Sequence, residues 1–178
     1  MLKTVALIAL AIVGLLAAIA AYASTQPDTF RVQRALAITA SPETLYPLIA
    51  DLQQLNRWNP FVLKDAKITG RYSGAASGTG AVYEFEGSSS GSGRIEIGDV
   101  APSRRVAMTL SMTKPLRSEN AITFTLEPAG DMTTVTWAMQ GQTPLLGKII
   151  HLFVNMDRMI GGEFASGLAS LKALAEPK

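Results

Sequence analysis

The side chains that could carry out chemistry are few in this chain and lie far apart. His151 is the only histidine and cysteine is absent, which excludes disulfides, thiolate or multi-histidine metal sites and a cysteine nucleophile. A histidine-based catalytic triad has little support for the same reason. In the helical pattern that surrounds it, His151 falls outside the apolar stripe, so it is predicted to be a surface residue.

The sequence pattern does not place a pair of carboxylates in the predicted apolar interior either. Four of them alternate with apolar residues along strand-like segments and are expected on the solvated face of a sheet: Glu84, Glu86, Glu96 and Glu127. General acid–base catalysis is therefore poorly supported. Polar residues that share the parity of apolar neighbours, or lie beside an apolar stripe, could contact a ligand, although a hydrated rim is the commoner place for such groups. These residues are Arg34, Ser118, Asn120 and Glu163.

Charge and glycine patterns exclude two further classes of protein. Sixteen Lys and Arg residues against fourteen Asp and Glu residues give a net charge of +2, spread along the chain, so no nucleic-acid-binding stripe is present. The glycine-rich residues 73–80 and 87–93 continue into neither a phosphate-binding loop nor a dinucleotide fingerprint. Strands follow both segments, which indicates hairpin turns.

The first part of the chain is apolar enough to cross a membrane. Residues 4–23 carry no charge, and a helix of about twenty residues spans about 30 Å, the thickness of the hydrocarbon core of a bilayer. Nine of these residues are Leu, Ile or Val, which on an insertion scale contribute roughly −3 to −5 kcal/mol. We therefore predict an N-terminal transmembrane helix or signal segment over residues 1–26 and one compact domain over residues 27–178.

Two fates of the N-terminal segment are open. Ala21, Tyr22 and Ala23 form a small–x–small sequence that suits cleavage, but the apolar run exceeds the usual length of about 7–15 residues in a signal, which favours an uncleaved anchor. Lys3 precedes the run and predicts a cytoplasmic amino terminus. The chain is thus expected to be a single-pass membrane protein with its domain outside the cytoplasm, or periplasmic or secreted if the segment is cleaved.

Beyond residue 29, apolar and polar residues alternate in one segment after another. A period of two is typical of antiparallel strands that have one face on a core and the other in water. The predicted strands are residues 30–39, 66–72, 82–87, 94–100, 106–112, 122–127 and 134–139.

Helical spacing follows the first strand and returns at the end of the chain. Ser41 and Pro42 form a helix start, and two short helices are predicted there, the second ended by Asn59 and Pro60. Residues 145–175 carry one long apolar stripe and are predicted to form a single helix on the apolar face of the sheet. The fold class is α+β, with an antiparallel sheet wrapped around a long C-terminal helix.

Short motifs follow the same order along the chain. They are Phe30-Arg31-Val32, Ser41-Pro42-Glu43, Trp58-Asn59-Pro60-Phe61, Tyr72-Ser73-Gly74, Gly78-Thr79-Gly80-Ala81-Val82-Tyr83-Glu84, Phe124-Thr125-Leu126-Glu127-Pro128, Val135-Thr136-Trp137-Ala138-Met139, and Phe164 with Gly167-Leu168. Together they resemble the START-like, or SRPBCC, superfamily with its helix-grip fold, in its polyketide cyclase/dehydrase and lipid-transport branch. The resemblance implies an apolar cavity between sheet and helix that takes lipids, sterols or polyketides, and it transfers no catalytic residue.

The apolar face that sheet and helix share is the candidate ligand site. Its predicted members are Tyr83, Phe85, Ile97, Met108, Leu110, Met112, Phe124, Trp137, Phe153, Met156 and Ile160, with Trp58, Phe61 and Asn120 at the rim. Without the resemblance, the same residues would be interpreted as ordinary core.

Three functions follow from these patterns. The first is a membrane-tethered protein that binds an apolar small molecule or lipid. The second is a cyclase- or dehydratase-like enzyme, which requires an inward-facing acid or base. The third is an interaction module with a dry core. Neither a metal nor a cofactor is expected, and no protein partner is indicated.

Overall fold

The computed structural model describes residues 2–176 and contains both the predicted sheet and the helix that covers it. The elements are α1 (Leu2–Ser24), β1 (Thr29–Ile38), α2 (Pro42–Ala50), α3 (Leu52–Asn56), α4 (Pro60–Leu63), β2 (Thr69–Gly74), β3 (Ala81–Glu86), β4 (Ser92–Ala101), β5 (Arg105–Lys114), β6 (Ser118–Ala129), β7 (Met132–Gln142), α5 (Leu145–Phe153) and α6 (Met156–Ala175). The α+β class and the helix-grip arrangement are confirmed.

The strands form one antiparallel sheet in the order β1-β7-β6-β5-β4-β3-β2. Thr29 at the start of β1 lies opposite Gln142 at the end of β7, and Ser118 at the start of β6 lies opposite Met112 near the end of β5. These positions therefore share one end of the sheet, which also receives the chain from α1. We call it the proximal end, and the opposite end, with the β6–β7 and β4–β5 turns, the distal end.

Three short helices, one more than predicted, connect β1 to β2. α3 ends at Asn56, short of the predicted stop at Asn59 and Pro60. These two residues instead start α4, because the Asn59 side chain accepts a hydrogen bond from the Phe61 N–H at 3.2 Å and Pro60 occupies the first helical position. α4 packs against α6. It thereby closes one side of the space between α6 and the sheet.

The C-terminal helix α6 packs along β1 and β7. Its residues Phe164, Leu168 and Leu171 are buried at helical spacing. The approach is close at Gly167, where a Cβ atom would lie 2.8 Å from Cζ3 of Trp137 and 2.9 Å from Cδ of Pro60. Glycine at this position therefore lets α6 contact the sheet and α4 together.

The predicted single helix over residues 145–175 is in fact two helices. Val154 is extended (φ −119°, ψ 121°), and Asn155 begins α6 by accepting a hydrogen bond from the Arg158 N–H at 2.8 Å. Asparagine competes for backbone groups and is a preferred N-cap, and Asp157 in the first turn adds favourable charge at the helix start. The apolar stripe runs across this break, which is why periodicity alone did not detect it.

Replacing Asn155 by alanine is expected to destabilise the protein by about 1 kcal/mol, because the cap of α6 loses its acceptor. Asn155→Asp should remain near the wild-type stability, since a carboxylate caps equally well. Urea unfolding of both variants measures the difference. Equal losses for alanine and aspartate would show that the cap does not hold this break.

The last two turns of α1 are the part of that helix that contacts the domain. Residues 3–18 are exposed along their whole length, whereas Ala23 is fully buried and Ile19 is half-buried. α5 packs against this end of α1. Lys148 of α5 donates a hydrogen bond from Nζ to Asp28 at 2.7 Å, which links α5 to the segment between α1 and β1.

Candidate functional site

The face of the sheet that α6 covers, which we call the inner face, is closed at the distal end and opens toward the proximal end. Along β5, Val106 and Met108 are buried, whereas Leu110 and Met112, nearer the proximal end, are half-buried. Phe85, at the proximal end of β3, is also half-buried. The inner face thus presents partly exposed apolar side chains beside the end that holds α1.

Aromatic side chains fill the deep part of the interior under α6. Trp137 stacks on Phe164 with 4.2 Å between ring centroids and lies 4.9 Å from Phe124. Trp58 meets the Trp137 ring edge-on at 5.7 Å, and Phe61 does so at 6.5 Å. We call these five residues the aromatic cluster. Their offset and edge-on contacts are the favourable geometries for aromatic pairs, so this region is packed core, with Phe61 at its edge and 37% exposed.

The two tryptophans of the cluster differ in whether the indole N–H has a hydrogen-bond partner. Trp58 is buried rather than at a rim, which corrects its predicted place, and its Nε1 donates a hydrogen bond to the Leu48 carbonyl at 2.9 Å. The Nε1 of Trp137 is buried without a hydrogen-bond partner. A buried unpaired donor costs free energy, so Trp137 contributes through its ring contacts and not through its N–H.

The structure brings most of the predicted apolar contact residues together. Those on the strands lie on the inner face: Tyr83, Phe85, Ile97, Met108, Leu110, Met112, Phe124 and Trp137. Met156 and Ile160 are half-buried on the first turns of α6. Phe153 lies apart from them, because it belongs to α5 and its side chain is 75% exposed. The rim residues are split between Phe61 in the aromatic cluster and Asn120 at the proximal end.

Arg34 is engaged by the start of α6. Its guanidinium donates to both carboxylate oxygens of Asp157, at 2.9 and 2.8 Å, and to the Asp157 and Gln33 carbonyls. The hydrogen bond from Arg34 holds the pKa of the Asp157 carboxyl below its usual value, and the same bond raises the pKa of Arg34. The pair thus fixes α6 on β1 in a doubly hydrogen-bonded geometry.

The other polar candidates are engaged as well. Glu163 accepts two hydrogen bonds from the Lys64 ammonium, at 2.8 and 2.6 Å, which links α6 to α4. Asn120 is buried and donates to the Ser118 hydroxyl at 3.2 Å. His151 is half-buried with its ring edge-on to Phe30, centroids 6.1 Å apart, so it is less exposed than predicted.

Two concavities stand out on the surface, and neither lies between the sheet and α6. The larger, of about 510 Å³, is an open depression on the outer face of the sheet, and its lining includes Arg31, Thr109 and Gln140. The smaller, of about 150 Å³, lies between α3 and β2. The enclosed cavity expected under the C-terminal helix therefore stays a prediction, and the proximal opening of the inner face is the candidate site that the structure offers.

Asp65 fixes the β3–β4 turn, residues 87–91, which borders this opening. Its carboxylate is buried and accepts hydrogen bonds from the backbone N–H groups of Ser89 and Ser90, both at 2.9 Å, from the Ser88 hydroxyl at 3.0 Å and from the Lys67 N–H at 3.2 Å. These donors, the Ser90 N–H first among them, hold the pKa of the Asp65 carboxyl far below its usual value despite the opposing effect of burial.

Asp65→Asn is expected to destabilise the protein at neutral pH, because an amide presents one acceptor oxygen where the carboxylate presents two. Since the folded-state pKa of Asp65 is depressed, its stabilisation is complete above the unfolded pKa of about 4 and is lost as the pH falls below that value. The wild-type melting temperature should therefore fall more steeply below about pH 4 than that of the variant. Asp131→Asn, at an exposed distal turn, is the matched control and should follow the wild type.

Sequence reasoning missed Asp65 and Lys148. Apart from the Lys67 N–H, the partners of Asp65 lie more than twenty residues further along the chain, and the single sequence signal for them is the serine run at residues 88–90. Lys148, like His151, falls outside the apolar stripe of the sequence, but its side chain faces the α1–β1 segment and is buried. Neither contact has a periodic signature.

Comparison with protein families gives one match that covers most of the chain. A family described as polyketide cyclase / dehydrase and lipid transport matches residues 29–176. The match begins at β1 and ends with α6, so it includes the whole inner face and leaves α1 outside. Among curated proteins, none matches this chain in sequence.

Solved structures similar to this chain include bacterial proteins of the same architecture. Protein CV1439 from Chromobacterium violaceum has 20% sequence identity and a TM-score of 0.59, over 86% of this chain and 100% of that chain. Mll3558 from Rhizobium loti has 24% identity and a TM-score of 0.56, over 82% and 96%. The Aha1 dimer from Colwellia psychrerythraea has 20% identity and a TM-score of 0.59, over 83% and 96%. At these identities the similarity establishes the fold.

Proposed function

Because the chain belongs to the polyketide cyclase/dehydrase and lipid transport family, we propose that it is a membrane-tethered protein that binds an apolar small molecule or lipid on its inner face. The observation that carries the proposal is the opening of that face at the proximal end. There, Phe85, Leu110 and Met112 are half-buried side chains of an otherwise buried stripe. A ligand would complete their burial, with Met156 and Ile160 of α6 as the facing wall.

Burial of apolar surface supplies the affinity in this proposal. Each CH₂ group removed from water contributes about 0.8 kcal/mol, so a ligand that buries about eight carbons gains roughly 6 kcal/mol before ordering costs. The thioether of Met112 is flexible and adapts to guests of different shape. Selectivity would then depend on size and polarity more than on directed hydrogen bonds.

Ion pairing of the polar residues Arg34 and Glu163 favours ligand binding over a cyclase- or dehydratase-like activity. Arg34 is committed to Asp157, and Glu163 to Lys64, in close ion pairs. A general acid or base must be free to exchange a proton with a substrate. These contacts instead attach α6 to β1 and α4, which supports a role in holding the inner face together.

An uncleaved α1 suits this function. α1 is the one helix of the described residues that is long and apolar enough to cross a membrane. The fully buried Ala23 packs the end of α1 into the domain, so cleavage after it would remove a core contact. With Lys3 on the cytoplasmic side, the domain lies outside the cytoplasm, beside the lipids from which an apolar ligand would be drawn.

The test is ligand capture by the full chain purified in a mild detergent. Native mass spectrometry with lipid extraction should detect a co-purified apolar species, and a pyrene-labelled fatty acid should bind. Leu110→Glu, which places a charge on the open part of the inner face, should abolish binding of the pyrene-labelled fatty acid.

Thr109→Glu is the matched control, because the neighbouring residue of the same strand faces the outer side. It adds the same charge and should retain binding. Equal binding of the pyrene-labelled fatty acid by both variants would contradict the proposed function. It would also be contradicted if no apolar species co-purified with the wild-type protein and that protein bound no component of a panel of lipid extracts.

A further inference from the structure

We propose that α5 lies in the headgroup region of the membrane that α1 spans and seats the proximal end of the domain on the lipid surface. The proposal rests on the proposed function, since it takes α1 as the anchor. It identifies the lipid bilayer as the partner that covers the exposed apolar face of α5.

α5 has its polar and apolar sides reversed relative to a helix of a water-soluble domain. Lys148 is buried, whereas Leu145, Leu146 and Phe153 are exposed, the last two at 56% and 75%. At about 100° per residue, these three and Ile149 fall within an arc of about 100°. Soluble helices turn such an arc toward a core, so this face is expected to be covered by something apolar.

The depth of α5 relative to α1 points to the bilayer as the cover. α5 packs on the end of α1, where burial begins at Ile19 and is complete at Ala23, a rise of about 6 Å. Tyr22 is exposed in the same turn, and aromatic residues of this kind mark the membrane–water boundary. Interfacial helices bury their apolar face about 5–10 Å into that boundary, a depth comparable to the length of α1 over which its burial against the domain develops.

Several contacts hold α5 at this depth. The Lys148 ammonium donates to Asp28, and the Thr143 N–H just before α5 donates to the Asp28 carbonyl at 2.7 Å. The Lys148 hydrogen bond also holds the pKa of the Asp28 carboxyl below its usual value. Phe30 packs against His151 from the other side. The exposed face of α5 therefore has a fixed position relative to the end of the membrane helix.

A second proximal element fits the same surface. The β5–β6 turn lies at the proximal end by the register of Met112 with Ser118, and its Leu116 is exposed between Lys114 and Arg117. The Lys114 ammonium also forms an exposed ion pair with Glu86 at 3.1 Å, which is weak in water. An apolar residue flanked by cations suits a surface of anionic lipids. The open part of the inner face would then face the membrane, and an apolar guest could pass between them with little exposure to water.

The experiment uses single-cysteine variants, because the native chain has no cysteine to remove. Leu146→Cys and Phe153→Cys report on α5, Leu10→Cys on the middle of α1, and Leu174→Cys on an equally helical but distal leucine. Each full-length variant is labelled with an environment-sensitive fluorophore and reconstituted in phosphatidylcholine–phosphatidylglycerol vesicles. Lipids carrying a nitroxide near the headgroup or deep in the acyl chain then quench the label according to its depth.

We expect the shallow nitroxide to quench positions 146 and 153 several-fold more strongly than position 174, and the deep nitroxide to quench position 10. Quenching at 10 combined with equal, weak quenching at 153 and 174 would overturn the proposal and leave the anchor intact. Loss of quenching at 10 would overturn both. A further outcome is a label at position 153 that is insensitive to both nitroxides while its emission changes when the protein is diluted in lipid. That result would show that a second copy of the chain covers this face, and it would also overturn the proposal.

Discussion

Trp137→Ala is expected to lower the free energy of unfolding by about 3–5 kcal/mol, the usual range for truncating a buried Phe or Trp to alanine. Trp137 is the centre of the aromatic cluster, because it contacts Trp58, Phe61, Phe124 and Phe164. Truncation leaves a cavity, and Pro60 of α4 limits how far α6 can move inward to fill it, because Cδ of Pro60 lies 2.9 Å from the position of a Cβ atom at Gly167. Urea unfolding of the full chain in mild detergent, followed by near-ultraviolet circular dichroism, measures the loss.

The two tryptophans allow a control that separates ring packing from hydrogen bonding. Trp58→Phe and Trp137→Phe remove the same atoms from neighbouring rings, but only Trp58 gives up a hydrogen bond, to the Leu48 carbonyl. Trp58→Phe should therefore cost about 1–3 kcal/mol more than Trp137→Phe, the penalty for a buried carbonyl left without its donor. Equal losses would show that the Trp137 N–H has a partner in solution.

The sheet could be predicted from sequence because one face of each strand is buried and the other is hydrated. That difference leaves a period of two in the chain, and Asn120 to Leu126 of β6 alternate in burial as the pattern requires. The break between α5 and α6 left a weaker signal, a single capping asparagine, which was overridden by a continuous apolar stripe. A stripe reports that residues avoid water, and it does not distinguish a protein core from a membrane surface.

The candidate site was harder to predict than the fold for a related reason. Residues that line an open apolar face and residues that fill a core are the same types at the same spacing, so Leu110 and Met108 look alike in the sequence. Their exposure differs because Leu110 is nearer the proximal end, which depends on the register of all the strands. Asp65 and the Arg34–Asp157 pair were missed because they connect segments that are distant in the chain.

Leu10→Arg combined with Val13→Arg is expected to release the protein from the membrane. Each arginine at the centre of a membrane helix costs about 2.5–3.5 kcal/mol, so the pair adds roughly 5–7 kcal/mol. The apolar residues of α1 favour insertion by roughly 3–5 kcal/mol, and two of them are removed by the same substitutions. The sign of the insertion free energy therefore reverses. Alkaline carbonate extraction of membranes from the expressing cells should shift the chain from the pellet to the supernatant.

Met132→Arg combined with Leu174→Arg is the matched control, because it places the same two charges on exposed apolar residues of the distal part of the domain. This variant should stay in the carbonate-resistant pellet. Retention of the α1 variant in that pellet would show that α1 is not the anchor. If α5 is interfacial, the α1 variant should still associate with anionic vesicles at neutral pH, and that association should disappear in carbonate, because an interfacial helix binds reversibly whereas a spanning helix does not.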